Sequence, residues 1–291
     1  MATSVMEMKI KKTSQFKLRV KKLWSNKPAT LGLAICLIMT LLSILAPLVT
    51  SYSPTHMDFT SISQPPSAEH IFGTDKLGRD VFSQILYGGR ISIYVGILSS
   101  LGGTVIGVLL GCIAGFFGGK LDSLLIRFSE IVMTFPNLIL VLVMVSILGQ
   151  GVNNLIIVFV LTGWMTTFRL VRNEYLSVRE ETYVSVCRSF GISNFSIIFR
   201  HMLPNTMSPI IVSFTVNVAF FILAEAGLSF LGLGVPVTIS TWGNIMNAAQ
   251  SIDVVTNYWW LWLAPGVAIS MFVLAINFLG DGLRDVLDPK Q

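Results

Sequence analysis

Residues 183–205 read Tyr-Val-Ser-Val-Cys-Arg-Ser-Phe-Gly-Ile-Ser-Asn-Phe-Ser-Ile-Ile-Phe-Arg-His-Met-Leu-Pro-Asn. They form the one long polar-flanked break in the second half of an otherwise apolar chain, and function is expected there. Gly191 follows one helical stretch and precedes a second, and Leu203-Pro204 is predicted to stop that second helix where the next hydrophobic run begins. Val184, Val186, Phe190, Ile192, Phe195, Ile198 and Phe199 give this segment more apolar surface than a solvated loop needs, so a partner is expected to cover it.

The rest of the chain explains why such a break stands out. It is 53% hydrophobic and 12% charged, with a mean hydropathy of +0.73, whereas an ordinary soluble domain is about 25% charged. Water is therefore not its main solvent. Charge-free runs cover residues 28–57, 91–119, 131–168, 201–224, 226–252 and 254–280, and about 20 apolar residues cross a bilayer core as a helix. Six spans follow, near 29–50, 90–117, 124–148, 154–171, 206–230 and 261–281. The 131–168 run is too long for one helix, and Gly149-Gln150-Gly151-Val152-Asn153-Asn154 supplies the turn that divides it. The chain thus reads as an all-α membrane protein organised as 1–28 (basic tail with an interfacial helix), 29–88 (first span and outer loop) and 89–291 (core), with the loop at 172–205.

Lysine and arginine set the orientation. Eight precede the first span (Lys9, Lys11, Lys12, Lys17, Arg19, Lys21, Lys22, Lys27), and Lys120, Arg127, Arg169, Arg172, Arg179, Arg188, Arg200, Arg284 and Lys290 fall on the same side of a six-span chain. Only Lys76, Arg79 and Arg90 remain for the other side. Both termini and the 172–205 loop are accordingly expected in the cytoplasm, and the net charge of +5 reflects topology rather than a nucleic-acid-binding face. The first run is long for a signal peptide and lacks a small-residue cleavage site, so it is expected to stay as an anchor. Before it, Lys9 to Trp24 alternates basic residues with Ile10, Phe16, Leu18, Val20, Leu23 and Trp24, which suits an interfacial helix on an anionic leaflet; a disordered basic tail is the alternative for the first residues.

Several chemistries lack their residues. The nearest approach to a phosphate-binding loop, Gly119-Lys120-Leu121, has neither the first glycine nor the hydroxyl residue. Three histidines (His56, His70, His201) and three cysteines (Cys36, Cys112, Cys187) show no zinc spacing, and no Gly-x-Ser-x-Gly elbow occurs. An enzyme is not expected, nor a bound cofactor or metal.

Within the spans, Gly103, Gly107, Gly111, Gly115 and Gly119 recur every fourth residue and are expected to stack on one helix face as a packing seam, a pore lining being the alternative. Pro136 and Pro265 kink or start helical segments. Arg127 and Glu130, three apart, are expected to pair within their helix. Glu225 lies some 19 residues into its span and is expected near the outer boundary in a helix–helix or subunit contact, with direct substrate binding as the alternative. Asp75, Arg79 and Asp80 are predicted to form an ion-pair cluster docking the 51–88 loop at the mouth of a passage. Trp242 and Trp259-Trp260-Leu261-Trp262 suit an aromatic belt at the membrane surface.

Four blocks in order, Phe72-Gly73-Thr74-Asp75-Lys76-Leu77-Gly78-Arg79-Asp80, Glu225-Ala226-Gly227-Leu228-Ser229-Phe230-Leu231-Gly232-Leu233-Gly234, Trp242-Gly243 and Asn277-Phe278-Leu279-Gly280-Asp281-Gly282-Leu283-Arg284-Asp285, resemble the "C" type permease subunits of the dipeptide, oligopeptide and nickel family of ATP-binding-cassette (ABC) importers. The likeness runs from about residue 30 to the end. It implies the type I importer permease fold and a cytoplasmic coupling loop of the form Glu-Ala-Ala-x3-Gly-x9-Ile-x-Leu-Pro. Here Gly191, Leu203 and Pro204 match, while Ser185-Val186-Cys187 stand for Glu-Ala-Ala and His201 for isoleucine. Tyr183, Val184, Phe190 and Phe195 complete the implied ATPase contact, with Glu180 and Glu181 as substitutes for the missing acid.

The same resemblance implies a multi-pass prokaryotic plasma-membrane subunit that makes half of a translocation pathway for di- or oligopeptides. Its implied partners are a homologous but distinct permease subunit, two cytoplasmic ABC ATPases that hold the ATP and Mg, and an extracellular binding protein; Asp75, Arg79, Asp80 and Glu225 are the outer-loop and gate candidates. Nickel or a metal chelate is the alternative cargo. An ion-driven secondary transporter is the alternative of another class, disfavoured because the charges concentrate at span ends.

Overall fold

The computed structural model describes residues 22–287. Most of the interfacial helix expected over Lys9–Trp24 lies outside the described residues. Five helices are long and apolar enough to cross a bilayer: α1 (Lys27–Ile44), α3 (Val81–Phe117), α6 (Val152–Val178), the 37-residue stretch Asn194–Phe230 whose α-helical part is α9 (Met207–Phe230), and α12 (Trp260–Leu287). A sixth crossing is made by a bent pair, α4 (Gly119–Met133) and α5 (Asn137–Leu148). Short helices fill the connections: α2 (Ala46–Val49), α7 (Thr182–Ser189), α8 (Asn194–Ser196), α10 (Trp242–Met246) and α11 (Ile252–Asn257). The expected six crossings are present, with α3 starting at Val81, nearer the N-terminus than expected, and α6 running on to Val178.

Both described ends of the chain meet at one end of the bundle, where Asn26 Nδ2 donates to Asp285 Oδ2 at 3.1 Å. That is the terminal end. At the opposite end, α1 stops because Pro47 has no N–H to give the carbonyl of Ser43 and its ring disfavours a continuing helix. The Ser43 carbonyl thus loses its helical donor, and Arg90 of α3 takes it together with the next carbonyl, through Nε to Ser43 O (2.6 Å) and Nη2 to Ile44 O (2.5 Å). The guanidinium also lies over the Tyr87 ring at 4.9 Å.

The third crossing, expected near 124–148 with Pro136 kinking it or starting a helical segment, is interrupted there. It breaks at Thr134-Phe135-Pro136 and turns by 87°. The cause is local: Pro136 adopts φ −56, ψ 124, and a residue preceding proline is driven from the helical region. Pro265, by contrast, sits early in α12 and the helix runs through it.

The glycine seam behaves as expected over four of its five positions. A Cβ on Gly107 would fall 2.7 Å from both Thr167 Cβ and Trp164 O, one on Gly111 2.8 Å from Val171 Cβ, and one on Gly115 2.4 Å from Tyr175 Cβ; Gly103 faces the Gly163 backbone. α3 and α6 therefore pack backbone to backbone. Gly119 is the exception, since α3 ends at Phe117, Gly118 turns the chain, and nothing lies within 4 Å of Gly119. Around this pair, α9 packs between α3 and α12, and α1 lies outside against α12, with Ala29 touching Gly282. Of the bent pair, α5 is held by Val141 and Val145 against Leu155, Val158 and Phe159, and α4 by Leu125 and Val132 against Trp164 and Phe168.

Replacing Gly107 by leucine is expected to destabilise the chain in detergent by about 1–3 kcal/mol or to prevent assembly, because backbone rather than a movable side chain stands in the way. Gly227→Ala, at a position with open space around it, serves as the control, and thermal melts of the two variants test the difference.

Candidate functional site

At the terminal end, residues 182–206 make a knob. α7 closes at Phe190 in a hydrogen-bonded turn, Gly191 N–H to Arg188 O (3.0 Å) and Ile192 N–H to Cys187 O (3.1 Å), with Gly191 at φ +72. That positive φ is why glycine follows the helix there. Ser193 then caps α8, its Oγ accepting from Ser196 N. The expected stop at Leu203-Pro204 does not occur. The helix continues through a π turn (Ile197–Met202) and a 3-10 turn (Leu203–Thr206) into α9, so Asn194–Phe230 is one long rod. Pro204 stands in the first turn of the 3-10 segment, where the change of helix type accommodates its fixed φ.

The knob is rooted in the bundle. Val184, Ile197, Ile198 and Met202 are buried with Cys112, Phe116, Val171 and Tyr175. Tyr175 Oη donates to Ile198 O at 3.0 Å, and the Arg188 guanidinium lies 5.1 Å over the Phe116 ring. Val184 and Ile198, expected on the apolar surface, thus belong to the root, because α6 runs on to Val178, beyond its expected end near 171, and with the end of α3 covers them. What remains exposed is Phe190 (81%), Phe195 (73%) and Val186 (46%), with Phe199 against Phe195 at 4.7 Å between ring centroids. Ser185 and Pro204 are also exposed, whereas Cys187, His201 and Leu203 are half-buried; Tyr183, half-buried too, accepts at Oη from Asn205 Nδ2 (3.2 Å). Glu180 and Glu181 lie exposed at the entrance to α7, and Glu180 is engaged by Arg179 at 3.1 Å. Beside the knob, Arg127 and Glu130 do not pair as expected. The ion pair that α4 makes is instead Arg172 to Asp122, joining α6 to α4.

The opposite end is closed by polar contacts of long sequence separation. Asp75 Oδ1 accepts from the N–H groups of Leu77 (2.8 Å) and Arg79 (2.9 Å), and its Oδ2 from Arg79 Nε (2.7 Å) and Gln84 Nε2 (3.1 Å). Asp80, expected to join that cluster, turns elsewhere. Its Oδ1 caps α3 by accepting from Ser83 N (2.7 Å), and its Oδ2 meets buried His70 Nδ1 at 2.9 Å. The helix start claims the carboxylate first, since the unpaired N–H groups there sit beside it in sequence. Gly78, at φ +72, lies so close to Asp58 O that a Cβ would stand 1.9 Å from it. Lys76 links this loop to Asp253 (3.2 Å) before α12.

Segment 231–250 folds into the bundle rather than over it. Glu225, fully buried, accepts from Ser92 Oγ of α3 (2.8 Å) and Ser229 Oγ (2.7 Å); those hydroxyl oxygens in turn accept from Trp242 N (3.2 Å) and Val235 N (3.3 Å). A helix–helix contact was expected of Glu225, and it is one. Ser92, Ser229 and Trp242 carry it, and serines in apolar runs give no sequence signal of that role. Trp242 (1% exposed) and Trp260 (6%) are not belt residues: their indole N–H groups donate to Ile85 O (3.0 Å) and Thr74 O (3.1 Å). Within the 259–262 cluster, Trp259 stands half-exposed in the manner of a belt and Trp262 is half-buried. The four outer candidates therefore fall into two groups, Asp75 with Arg79 in a loop clasp and Asp80 and Glu225 in separate buried hydrogen-bond systems.

This arrangement, a six-crossing helical bundle with a rooted apolar knob at one end and a hydrogen-bonded lid at the other, has the fold of an ABC-importer membrane subunit. A chain of the MetNI methionine ABC transporter, solved in inward-facing conformations, superposes with a TM-score of 0.57 over 71% of this chain and 97% of that one, at 17% identity, a likeness of fold. Residues 107–291 match the family described as binding-protein-dependent transport system inner membrane component, and residues 14–66 match the N-terminal transmembrane domain of oligopeptide transport permease C. The chain is 39% identical to the dipeptide transport system permease protein DppC of Bacillus subtilis (93% of this chain, 84% of the relative) and 37% identical to the oligopeptide transport system permease protein OppC of the same organism (91% and 87%). It is 42% identical to a putative peptide permease protein of Brucella suis (91% and 88%). The chain belongs to the family of binding-protein-dependent transport system inner membrane components, the permease subunits of ABC importers.

Two outcomes follow from the polar end. Glu225→Ala strands two buried hydroxyls and is expected to cost about 1–3 kcal/mol, whereas Lys76→Ala, removing a half-exposed pair, is expected to change stability by less than about 1 kcal/mol; melting temperatures in detergent separate them. The Thr60 hydroxyl, then the Thr60 N–H and the Ser61 hydroxyl, hold Asp58 at about 2, and Asn257 and Lys76 lower Asp253. A carboxylate lowered in the folded state stabilises above its unfolded pKa and loses that contribution as pH falls. Tryptophan emission, which includes Trp260 against this loop, is expected to be flat from neutral pH to about 5 and to shift red between about 4 and about 2.

Proposed function

We propose that this chain forms half of the translocation pathway of an ATP-driven importer of di- or oligopeptides, with the 182–206 knob as its attachment to the motor. The observation that carries the proposal is the exposure of Phe190 and Phe195 on a knob whose root is locked by Tyr175, Val184 and Met202. Apolar side chains so exposed at the end of a bundle, above a rigid base, call for a protein partner. The names of the relatives support peptides as cargo.

The knob faces the cytoplasm with both termini, a reading supported by the seventeen basic residues on that side of the chain. A groove on each of two cytoplasmic ATPases receives the knob of one permease subunit, this chain and its homologous partner. ATP and Mg bind to those ATPases, and this chain holds no cofactor. Tyr183, Ser185, Val186, Cys187, Gly191, His201, Leu203 and Pro204 shape the knob around its two phenylalanines. Because the rod from Asn194 to Phe230 is continuous, a push on Phe195 is carried along α9, and the Tyr175–Ile198 bond transfers it to α6. The motion of the motor thus reaches two membrane helices through stiff elements. At the outer end, the Asp75–Arg79 clasp and segment 231–258 offer the surface for an extracellular binding protein in a prokaryotic plasma membrane.

The test uses the complete transporter in proteoliposomes. Phe190→Asp with Phe195→Asp is expected to abolish ATP-dependent peptide uptake and co-purification of the ATPases while insertion is unchanged. Gly191→Val, which forces a β-branched residue to φ +72 at a cost of about 1–2 kcal/mol, is expected to leave hydrolysis running without uptake. The permease purified alone hydrolyses no ATP. Uptake at the wild-type rate in the double variant, or ATP hydrolysis by this chain alone, overturns the proposal.

A further inference from the structure

The break in the third crossing opens a groove. Thr134-Phe135-Pro136 turns the chain away, and between α5, α6 and α9 this leaves a half-open cavity of about 480 Å³. Its walls carry Asn137 beside the break, Thr162 and Thr166 on α6, and Asn217 on α9, among apolar neighbours such as Phe135 and Phe220. None of the residues lining it is charged. Asn217 is the eleventh residue of α9, about 15 Å from its start at 1.5 Å per residue, and Thr162 is the eleventh of α6. The polar groups therefore stand near the middle of the hydrocarbon, where an amide facing lipid is costly. Asn217 Nδ2 donates to Thr167 Oγ1 at 3.2 Å, which fixes the amide, and its Oδ1 accepts no bond from the described residues.

We propose that this groove is where the subunit touches cargo in transit, and that its amides and hydroxyls engage the peptide main chain rather than side-chain charge. Three observations meet here. The sole broken crossing among the described residues borders the groove, and discontinuous helices at mid-depth are how transporters expose polar groups to a substrate. A side-chain amide offers a peptide group the donor and the acceptor it needs. An uncharged lining neither attracts nor repels acidic or basic residues, so peptides of different charge pass alike. The inference rests on the peptide-importer reading above.

The experiment measures uptake of three peptides of equal length, one acidic, one neutral and one basic, by the complete transporter with its binding protein. Wild type carrying all three at similar rates supports the peptide reading, and wild type carrying none overturns that reading before any variant is considered. On a competent wild type, Asn217→Asp is expected to cut uptake of the acidic peptide at least tenfold relative to the basic one. Equal effects on all three peptides, or no effect, overturn the groove assignment and leave the partner subunit's helices as its occupant. Where Asn217→Asp fails to assemble, Thr166→Cys in a background with Cys36, Cys112 and Cys187 changed to alanine gives the second readout. A water-soluble maleimide is expected to label it at a rate that transported peptide slows several-fold, and labelling indifferent to peptide overturns the assignment.

Discussion

Four glycines on one face of α3 bring α6 to backbone contact, and the rest of the molecule is arranged around that pair. Lipid offers no hydrophobic drive for two apolar helices to associate, so close van der Waals packing must supply it. Side chains at Gly107, Gly111 and Gly115 would stand inside the α6 backbone or its Cβ atoms. With α6 fixed in this way, its lower end carries Val171 and Tyr175 to the knob, its middle presents Thr162 and Thr166 to the groove, and its upper end supports α5 through Leu155 and Val158. Both proposed working surfaces are thus referred to one rigid frame.

The two ends of that frame are finished by different physics. The end opposite the termini is closed by hydrogen bonds that join residues far apart in sequence: Arg90 to the end of α1, Trp242 to Ile85, Trp260 to Thr74, Ser92 to Glu225. Each satisfies a group that would otherwise be stranded in an apolar setting, which makes the lid specific in geometry. The terminal end is built of apolar packing that stops short, leaving two phenylalanine rings uncovered. Between them the groove lies beside the bent crossing, whose second half packs on α6 through Val141 and Val145.

Local signals in the chain were read well where the cause was local. Gly191 ends a helix because only glycine takes φ +72 readily, and the long apolar runs became membrane-length helices because hydrocarbon thickness sets that length. The misreadings share a different origin. Leu203-Pro204 reads as a stop, yet a π turn followed by a 3-10 turn carries the helix through. Arg127 and Glu130 have helical spacing, but Asp122 found Arg172 on another helix. Asp80 lies one residue from Arg79 and was taken by the start of α3 and by His70. Trp242 and Trp260 have belt composition and are buried because backbone carbonyls waited for their N–H groups.

What the sequence alone determined is therefore the class of solvent, the number of crossings, the helix-packing seam, the position of the knob and the family, since each depends on composition, period or a motif within a few residues. Tertiary structure alone decided which carboxylate meets which cation, which half of the knob faces outward, and that the 87° turn at Pro136 opens a polar groove at mid-depth. Those depend on which distant group arrives first to satisfy a buried donor or cover an apolar face. Proximity in space, which the order of residues does not encode directly, settles that competition.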